Sequence, residues 1–304
     1  MAASKRERAS RAGKRPGSTS PQTAADHGLF GPGSATWKVH SNPVMLVGGL
    51  RALLIQALHP LAMAGVAQYS DFRSDPLRRL RGTSAYVHAV TFGDIASAQA
   101  AADRVRRLHK RVRGVDTVTG RSFSASDPET LLWVHCVEVH SFLAAYRAYG
   151  GRIGAAEQDR YLAEQVAAAE LMEIPRASVP ASRAAYRAYF AEVLPTLCSS
   201  VQAAATIAFV RRPQLSGSVW LAPVTPALRT LAQAATALVP RSLRPLAGLP
   251  EWDPRTLPAA AAVVLAARAM ILSRRVPWLG AQIETQVGEA LGVGSLPDSS
   301  QEAA

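Results

Sequence analysis

A histidine in an arginine-rich segment is the residue whose type and spacing point most directly to chemistry. Residues 98–114 have the periodicity of an amphipathic helix, and Gly114 suits a left-handed cap at its end. One face of this helix is formed by residues three and four positions apart, which are Ala102, Val105, His109 and Val112. An inward imidazole on a rigid helix can be an axial ligand of a metal or haem iron. The periodicity also fits a core histidine that is hydrogen-bonded to a carbonyl group.

A second helix is predicted upstream of this one. Asp75 and Pro76 form a helix start, with aspartate as the N-cap and proline at the first helical position. The helix that follows presents one face of mixed character, made of Arg79, Thr83, Tyr86 and Val90.

A third helix is predicted to carry ionisable groups into the core. It starts at Asp127-Pro128, runs from Glu129 to about Tyr149 and is apolar nearly all round, so we expect it to be buried. It nevertheless contains His135, Glu138 and His140. Buried ionisable groups are costly unless they are paired or functional.

Two of these groups share a face of the third helix. Glu138 could orient His135 or act as an acid or base near bound oxygen. The alternative is a buried polar pair that holds helices in register. His140 falls on another face, with Trp133 and Val137, and we expect it to be structural.

The motifs follow one another in an order that is specific as a series, although each alone is weak. They are Gln56-Ala-Leu-His59-Pro60, Arg79-Leu-Arg-Gly-Thr83, Arg106 to Gly114, Val118 to Pro128, and Leu131-Leu-Trp-Val-His135. This series resembles the MpaB-type oxygenase family, of which the haem-containing latex-clearing proteins are distant relatives. The resemblance runs from about Trp37 to about Gly292.

The resemblance implies a helical oxygenase that binds haem b. His109 matches the histidine that is the proximal haem ligand in the rubber-cleaving relatives. Arg79 and Thr83 match an arginine and a threonine that lie near the haem. The lysine that precedes this threonine in those relatives is Gly82 here. This departure argues against polymer cleavage and leaves the distal side unassigned.

A haem site also needs apolar walls and cations for two propionates. Arg79 could bind a propionate or act on the distal side, or it could be one more surface arginine. Thr83 could hydrogen-bond a ligand or its own helix backbone. His59 lies at a break before Pro60 and could line the cavity from the opposite side. The candidate walls are the apolar segments 53–66, 131–142 and 259–272.

Composition predicts an all-α protein with a single multi-helix globular domain, and the resemblance implies that this domain has a buried cofactor or ligand cavity. Alternating strand patterns are nearly absent, and Ser216–Leu221 is too short to count for much. Residues 1–27 lack large apolar groups and are expected to form a disordered basic tail. The helical domain should span residues 28–293, with a frayed end at 294–304.

The formal net charge of +12 would suit nucleic acid or an anionic membrane. Part of this charge lies in the first fifteen residues, and arginine greatly outnumbers lysine, so we expect no specific nucleic-acid partner. The apolar segment 44–66 is long enough to span a bilayer, but Arg51 and Pro60 interrupt it. We therefore expect a buried helix pair, with peripheral membrane contact left open. Two cysteines, Cys136 and Cys198, fit a reducing cytoplasm.

Two functions are compatible with these residues. The first is a haem-dependent oxidoreductase or oxygenase that acts on a hydrophobic small molecule, with His109 as the axial ligand. The second is a non-catalytic helical protein that binds an apolar ligand or an acidic partner. The motifs of di-iron bundles, nucleotide-binding loops, nucleophile-elbow hydrolases and zinc sites are absent from the sequence.

Overall fold

The computed structural model describes residues 26–213 and 224–273, and most of these residues are helical. The helices are α1 (Ala35–His40), α2 (Met45–Gln56), α3 (Pro60–Tyr69), α4 (Pro76–Phe92), α5 (Ile95–His109), α6 (Pro128–Ala145), α7 (Ala155–Leu171), α8 (Arg183–Val193), α9 (Val201–Arg211), α10 (Val224–Ala237) and α11 (Thr256–Ser273). A hairpin of β1 (Arg113–Val115) and β2 (Ser122–Ser124) separates α5 from α6. The prediction of an all-α fold is confirmed.

Several expectations fall outside the described residues. They concern the tail before Asp26, the short candidate strand Ser216–Leu221, the last part of the helical domain from 274 to 293 and the frayed end at 294–304.

Three predicted helix starts are confirmed. The side chain of Asp75 accepts a hydrogen bond from the backbone of Arg78, with Pro76 in the first helical position. α6 starts at Pro128 as expected, and the chain then continues as a short π-helical segment to Gly150. At the third start, His59 caps α3, and its Nδ1 accepts from the backbone N–H of Ala62 at 3.3 Å.

The core forms around α2, which packs on α6, α9 and α10. Gly48 permits the close approach of α2 to α6, because a Cβ at this position would lie 2.8 Å from a ring carbon of Phe142. Arg51, one turn later, is only 2% exposed. Its Nε donates to the carbonyl oxygen of Leu238 at 2.9 Å, and its Nη1 donates to Ser141 Oγ at 2.6 Å. A buried cation thus joins three helices through hydrogen bonds.

The predicted end of α5 is wrong. The helix ends at His109, and Gly114 lies in β1, where it pairs with Phe123. Val112 therefore lies beyond the helix. Its backbone N–H donates a hydrogen bond to the carbonyl oxygen of His109, which closes a tight turn. Its side chain packs against Phe123. The hairpin that follows is not among the elements that the sequence predicts.

No single helix in the described ranges is long and apolar enough to cross a membrane. The pair α2 and α3 meets the length and composition criteria together, but the two helices are bent by 105° at the break before Pro60. Much of this pair is buried against the rest of the protein.

Candidate functional site

The helical hairpin of α4 and α5 positions the first two candidate residues. Gly93 and Asp94 form the connection, and Asp94 caps α5 by accepting a hydrogen bond from the backbone of Ser97. Because the connection is short, the start of α4 returns to the end of α5. Arg79 and His109 thereby become neighbours, and the guanidinium charge acts on the imidazole.

His109 is half-buried at the last position of α5. Burial lowers the pKa of its imidazole, and the charge of Arg79 lowers it further. Its Nδ1 is inaccessible and has no hydrogen-bond partner within the described residues. The ring is therefore neutral near pH 7, which is the form that can ligate a metal, and it is not held as an ordinary core histidine.

We define Arg79, Thr83 and Tyr86 as the α4 face; Arg79 and Thr83 are exposed, and Tyr86 is half-buried. Arg79 is exposed, yet surrounding protein lowers the pKa of its guanidinium by desolvation, and its Nη1 donates to Ser70 Oγ at 2.9 Å. Thr83 is also exposed, and within the described residues its hydroxyl makes no hydrogen bond to the backbone of the kind that Thr230 and Thr236 make.

Tyr86 joins the α4 face to α6. Burial raises the pKa of its phenol, the carboxylate of Glu138 raises it further, and Arg106 opposes them. The phenol therefore stays protonated near neutral pH and is available as a hydrogen-bond donor. Sequence reasoning placed Tyr86 on this face but gave it no role; its spacing of one turn from Thr83 was the available signal.

Glu138 lies on α6, close enough to Tyr86 for its charge to act on the phenol. Burial raises the pKa of its carboxyl to about 7. Its charge also raises the pKa of Tyr161 on α7, so the carboxyl lies among α4, α6 and α7. No hydrogen bond to this carboxyl is found in the described part of the chain, and a carboxyl that is half protonated near neutral pH can give or take a proton.

His135 shares its helix face with Glu138, one turn earlier. Burial lowers the pKa of its imidazole to about 4, so the ring is neutral. Its Nε2 is buried and has no hydrogen-bond partner among the described residues. An unpartnered buried nitrogen carries a cost that packing alone does not explain.

His59 is not brought to this group of residues. Its ring lies 5.6 Å from that of Trp133, and its electrostatic neighbours are Arg121 and Asp127, next to the β-hairpin. Its Nδ1 is occupied in capping α3. The contacts of His59 are those of a structural residue.

His140 has the structural surroundings that the sequence predicts. Its Nδ1 lies 3.4 Å from Arg51 Nη1, and its ring stacks on Tyr186 and packs edge-on against Phe190. Burial lowers the pKa of this imidazole to about 3, with a further contribution from the charge of Arg51. The neutral ring can therefore accept a hydrogen bond from the buried guanidinium.

The site thus consists of side chains on three helices. His109 and Arg79 lie at one end of the α4–α5 hairpin, and Tyr86 faces Glu138 on α6. Within the described ranges, no group of three or more histidine, cysteine, aspartate or glutamate residues could hold a metal ion.

Comparison with known proteins adds a family assignment. A family model described as "ER-bound oxygenase mpaB/B'/Rubber oxygenase, catalytic domain" matches residues 37–269. Searches of curated proteins and of solved structures found no significant match. The matched region contains all of the candidate residues above. The chain therefore belongs to the family of mpaB and rubber oxygenase catalytic domains.

Proposed function

We propose that this protein is a haem-dependent oxygenase that oxidises a hydrophobic small molecule. The proposal rests mainly on the pair of His109 and Arg79. The imidazole of His109 is neutral and has an unpartnered nitrogen, and the guanidinium of Arg79 beside it is desolvated. A haem takes one or two axial ligands from the protein, so a site without a cluster of ligands suits it.

In this proposal His109 would hold the iron of haem b, and Arg79 would pair with a propionate, since a guanidinium matches carboxylate geometry. When bound, the haem would supply the iron at which oxygen or peroxide is activated. The family description supports an oxygenase, and the orphaned nitrogen of His109 supports this residue as the ligand.

The remaining residues would handle the substrate and protons. Thr83 has an exposed hydroxyl on α4 that could form hydrogen bonds, and the protonated phenol of Tyr86 could donate one. Glu138 can donate or accept a proton at its carboxyl near neutral pH. His135 is neutral and lies on the same face as Glu138, and its buried Nε2 has no partner among the described residues.

Gly82 leaves the surface of α4 bare between Arg79 and Thr83. A Cβ at this position would have no atom within 4 Å. A substrate can therefore approach the helix here, where the rubber-cleaving relatives carry a lysine. An apolar small molecule suits the apolar helices of the domain, and this is why we propose that substrate class.

The test is the haem and iron content of the full-length chain, expressed with haem supplied and purified. The proposal predicts a Soret band and near-equimolar haem and iron. Colourless protein without iron would overturn it, and would favour a non-catalytic protein that binds an apolar ligand or an acidic partner.

A further inference from the structure

A second feature of the molecule is a surface that combines exposed apolar and basic side chains around the β-hairpin. Its apolar members are 47% to 85% exposed. They are Tyr69, Leu108, Val115, Val118 and Val201. We call these residues, together with the cations named below, the hairpin surface.

Hydrogen bonds join the elements of the hairpin surface. Tyr69 Oη donates to the carbonyl oxygen of Arg113 at 2.7 Å, which ties α3 to β1. Gln202 Nε2 donates to Thr117 Oγ1 at 3.3 Å, which ties the first turn of α9, next to Val201, to the hairpin turn. These bonds place the elements that carry Tyr69, Val115, Val118 and Val201 next to one another, and Leu108 lies near the end of α5, just before the hairpin.

The charge of this region is positive. Its exposed cations are Lys110, Arg111, Arg113 and Arg121. None of them forms an ion pair within the described residues. The acidic residue of the hairpin turn, Asp116, is buried, and its carboxylate accepts hydrogen bonds from Val118 N, Thr119 N and Thr119 Oγ1.

An open surface pocket of about 690 Å³, partly lined by Val115 and Phe123, adjoins these cations. Lys110 and Arg113 line it together with Ser122, Ser124 and Ser126, and the half-buried Asp127 is its acidic member. Cationic and hydroxyl groups of this kind donate hydrogen bonds to anionic oxygens. The surface thus offers apolar side chains and anion-binding groups side by side.

We propose that the hairpin surface docks the protein on a bilayer that contains anionic lipid. The aliphatic side chains enter the boundary between headgroups and acyl chains, and the cations bind the anionic headgroups. A nucleic acid fits this surface less well, because exposed valines and a leucine gain nothing from a phosphate backbone and only Tyr69 could stack on a base.

The hairpin surface lies next to the candidate site, but docking does not depend on the function of that site. His109 ends α5 and directly precedes Lys110, so the site opens next to the docked surface. A hydrophobic substrate partitions into lipid and would reach the site from there. Docking itself requires no haem, so it can be measured on protein of any haem content, and its failure would leave the haem assignment untouched.

The test is co-sedimentation of the full-length chain with vesicles of phosphatidylcholine that contain phosphatidylserine, compared with pure phosphatidylcholine. The test variant carries Lys110→Gln, Arg111→Gln and Arg121→Gln. The matched control carries Arg152→Gln, Arg187→Gln and Arg229→Gln, which are exposed arginines on other elements. Both variants lose the same charge and keep the basic N-terminal residues, and circular dichroism confirms that each is folded.

We expect the test variant to lose about a hundredfold in vesicle partitioning, since each cation near an anionic surface contributes about fivefold. The control should stay within a few-fold of the wild type. A third variant, with Val115→Ser, Val118→Ser and Val201→Ser, should lose the binding that persists at high salt. Equal losses in test and control variants would overturn the proposal, as would binding to duplex DNA that depends on the three cations while vesicle binding does not.

Discussion

Arg79 near the start of α4 and His109 at the end of α5 are neighbours, and the charge of the guanidinium lowers the pKa of the imidazole. The short connection at Gly93 and Asp94 brings these two ends together. Burial and this charge keep His109 neutral, and its Nδ1 has no hydrogen-bond partner among the described residues. This pair is the basis of the functional proposal, and the surrounding helices determine how well it is held.

The contact of α2 with α6 should tolerate a methyl group at one glycine and not at its neighbour. Gly48→Ala would place a Cβ 2.8 Å from Phe142, so we expect a loss of about 2 kcal/mol in the free energy of unfolding. Gly49→Ala meets no atom within 4 Å and should gain up to about 1 kcal/mol from helix propensity. Urea unfolding measures both, and equal effects of the two substitutions would contradict the packing described here.

The buried cation at α2 should be essential for stability. Arg51→Met leaves the carbonyl oxygen of Leu238 and the hydroxyl of Ser141 without their donor, so we expect a loss of about 3 kcal/mol. Arg187→Met, at an exposed position on α8, should change stability by less than about 0.5 kcal/mol. If denaturation curves show the Arg51 variant to be as stable as the control, the hydrogen bonds of Arg51 are not stabilising the core.

Glu138 should make stability depend on pH between about 4.5 and 7. Its folded pKa of about 7 lies above the ordinary value of 4.5, so the folded state binds the proton more tightly. The stability that this proton contributes is present below about pH 4.5 and is lost as pH rises through 7, with a total on the order of 3 kcal/mol.

The matched comparison for this prediction is Glu138→Gln. The variant lacks the titration, and the buried histidines affect both proteins equally. The wild type should therefore lose stability relative to the variant between pH 5 and pH 8. Parallel curves of unfolding free energy against pH would show that the carboxyl is not held in its protonated form.

The two buried histidines of α6 should respond differently to the same substitution. His135→Leu removes a nitrogen that has no partner, so stability should stay the same or rise by about 1 kcal/mol. His140→Leu removes an acceptor of Arg51 and should cost about 1–2 kcal/mol. Thermal unfolding distinguishes the two, and a large loss in the His135 variant would mean that its ring is held by interactions not seen in the fold.

Local signals in the sequence predict the helix starts well. The geometry of a helix start depends on only a few neighbouring residues, as at Asp75-Pro76 and at the break His59-Pro60. Asp127-Pro128 locates the start of α6, although Asp127 makes no capping bond to the backbone there. A proline at the first helical position is sufficient to fix the start.

The end of α5 and the hairpin are not predictable in the same way. Gly114 has the residue type of a helix cap, yet it pairs with Phe123 in β1, an interaction that depends on tertiary packing against α3. The approach of Tyr86 to Glu138 likewise depends on how separate helices pack. Periodicity assigns each residue to a face but does not say which faces meet.

The most direct test of the central claim is the absorption spectrum of the haem-loaded full-length chain beside His109→Ala. The matched control is His88→Ala, a half-buried histidine on α4 whose ring packs against Phe92. The account predicts a Soret band in the wild type and control that shifts or vanishes in the His109 variant, while all three remain folded by circular dichroism. An unchanged Soret band in His109→Ala would contradict the assignment of His109 as the axial ligand.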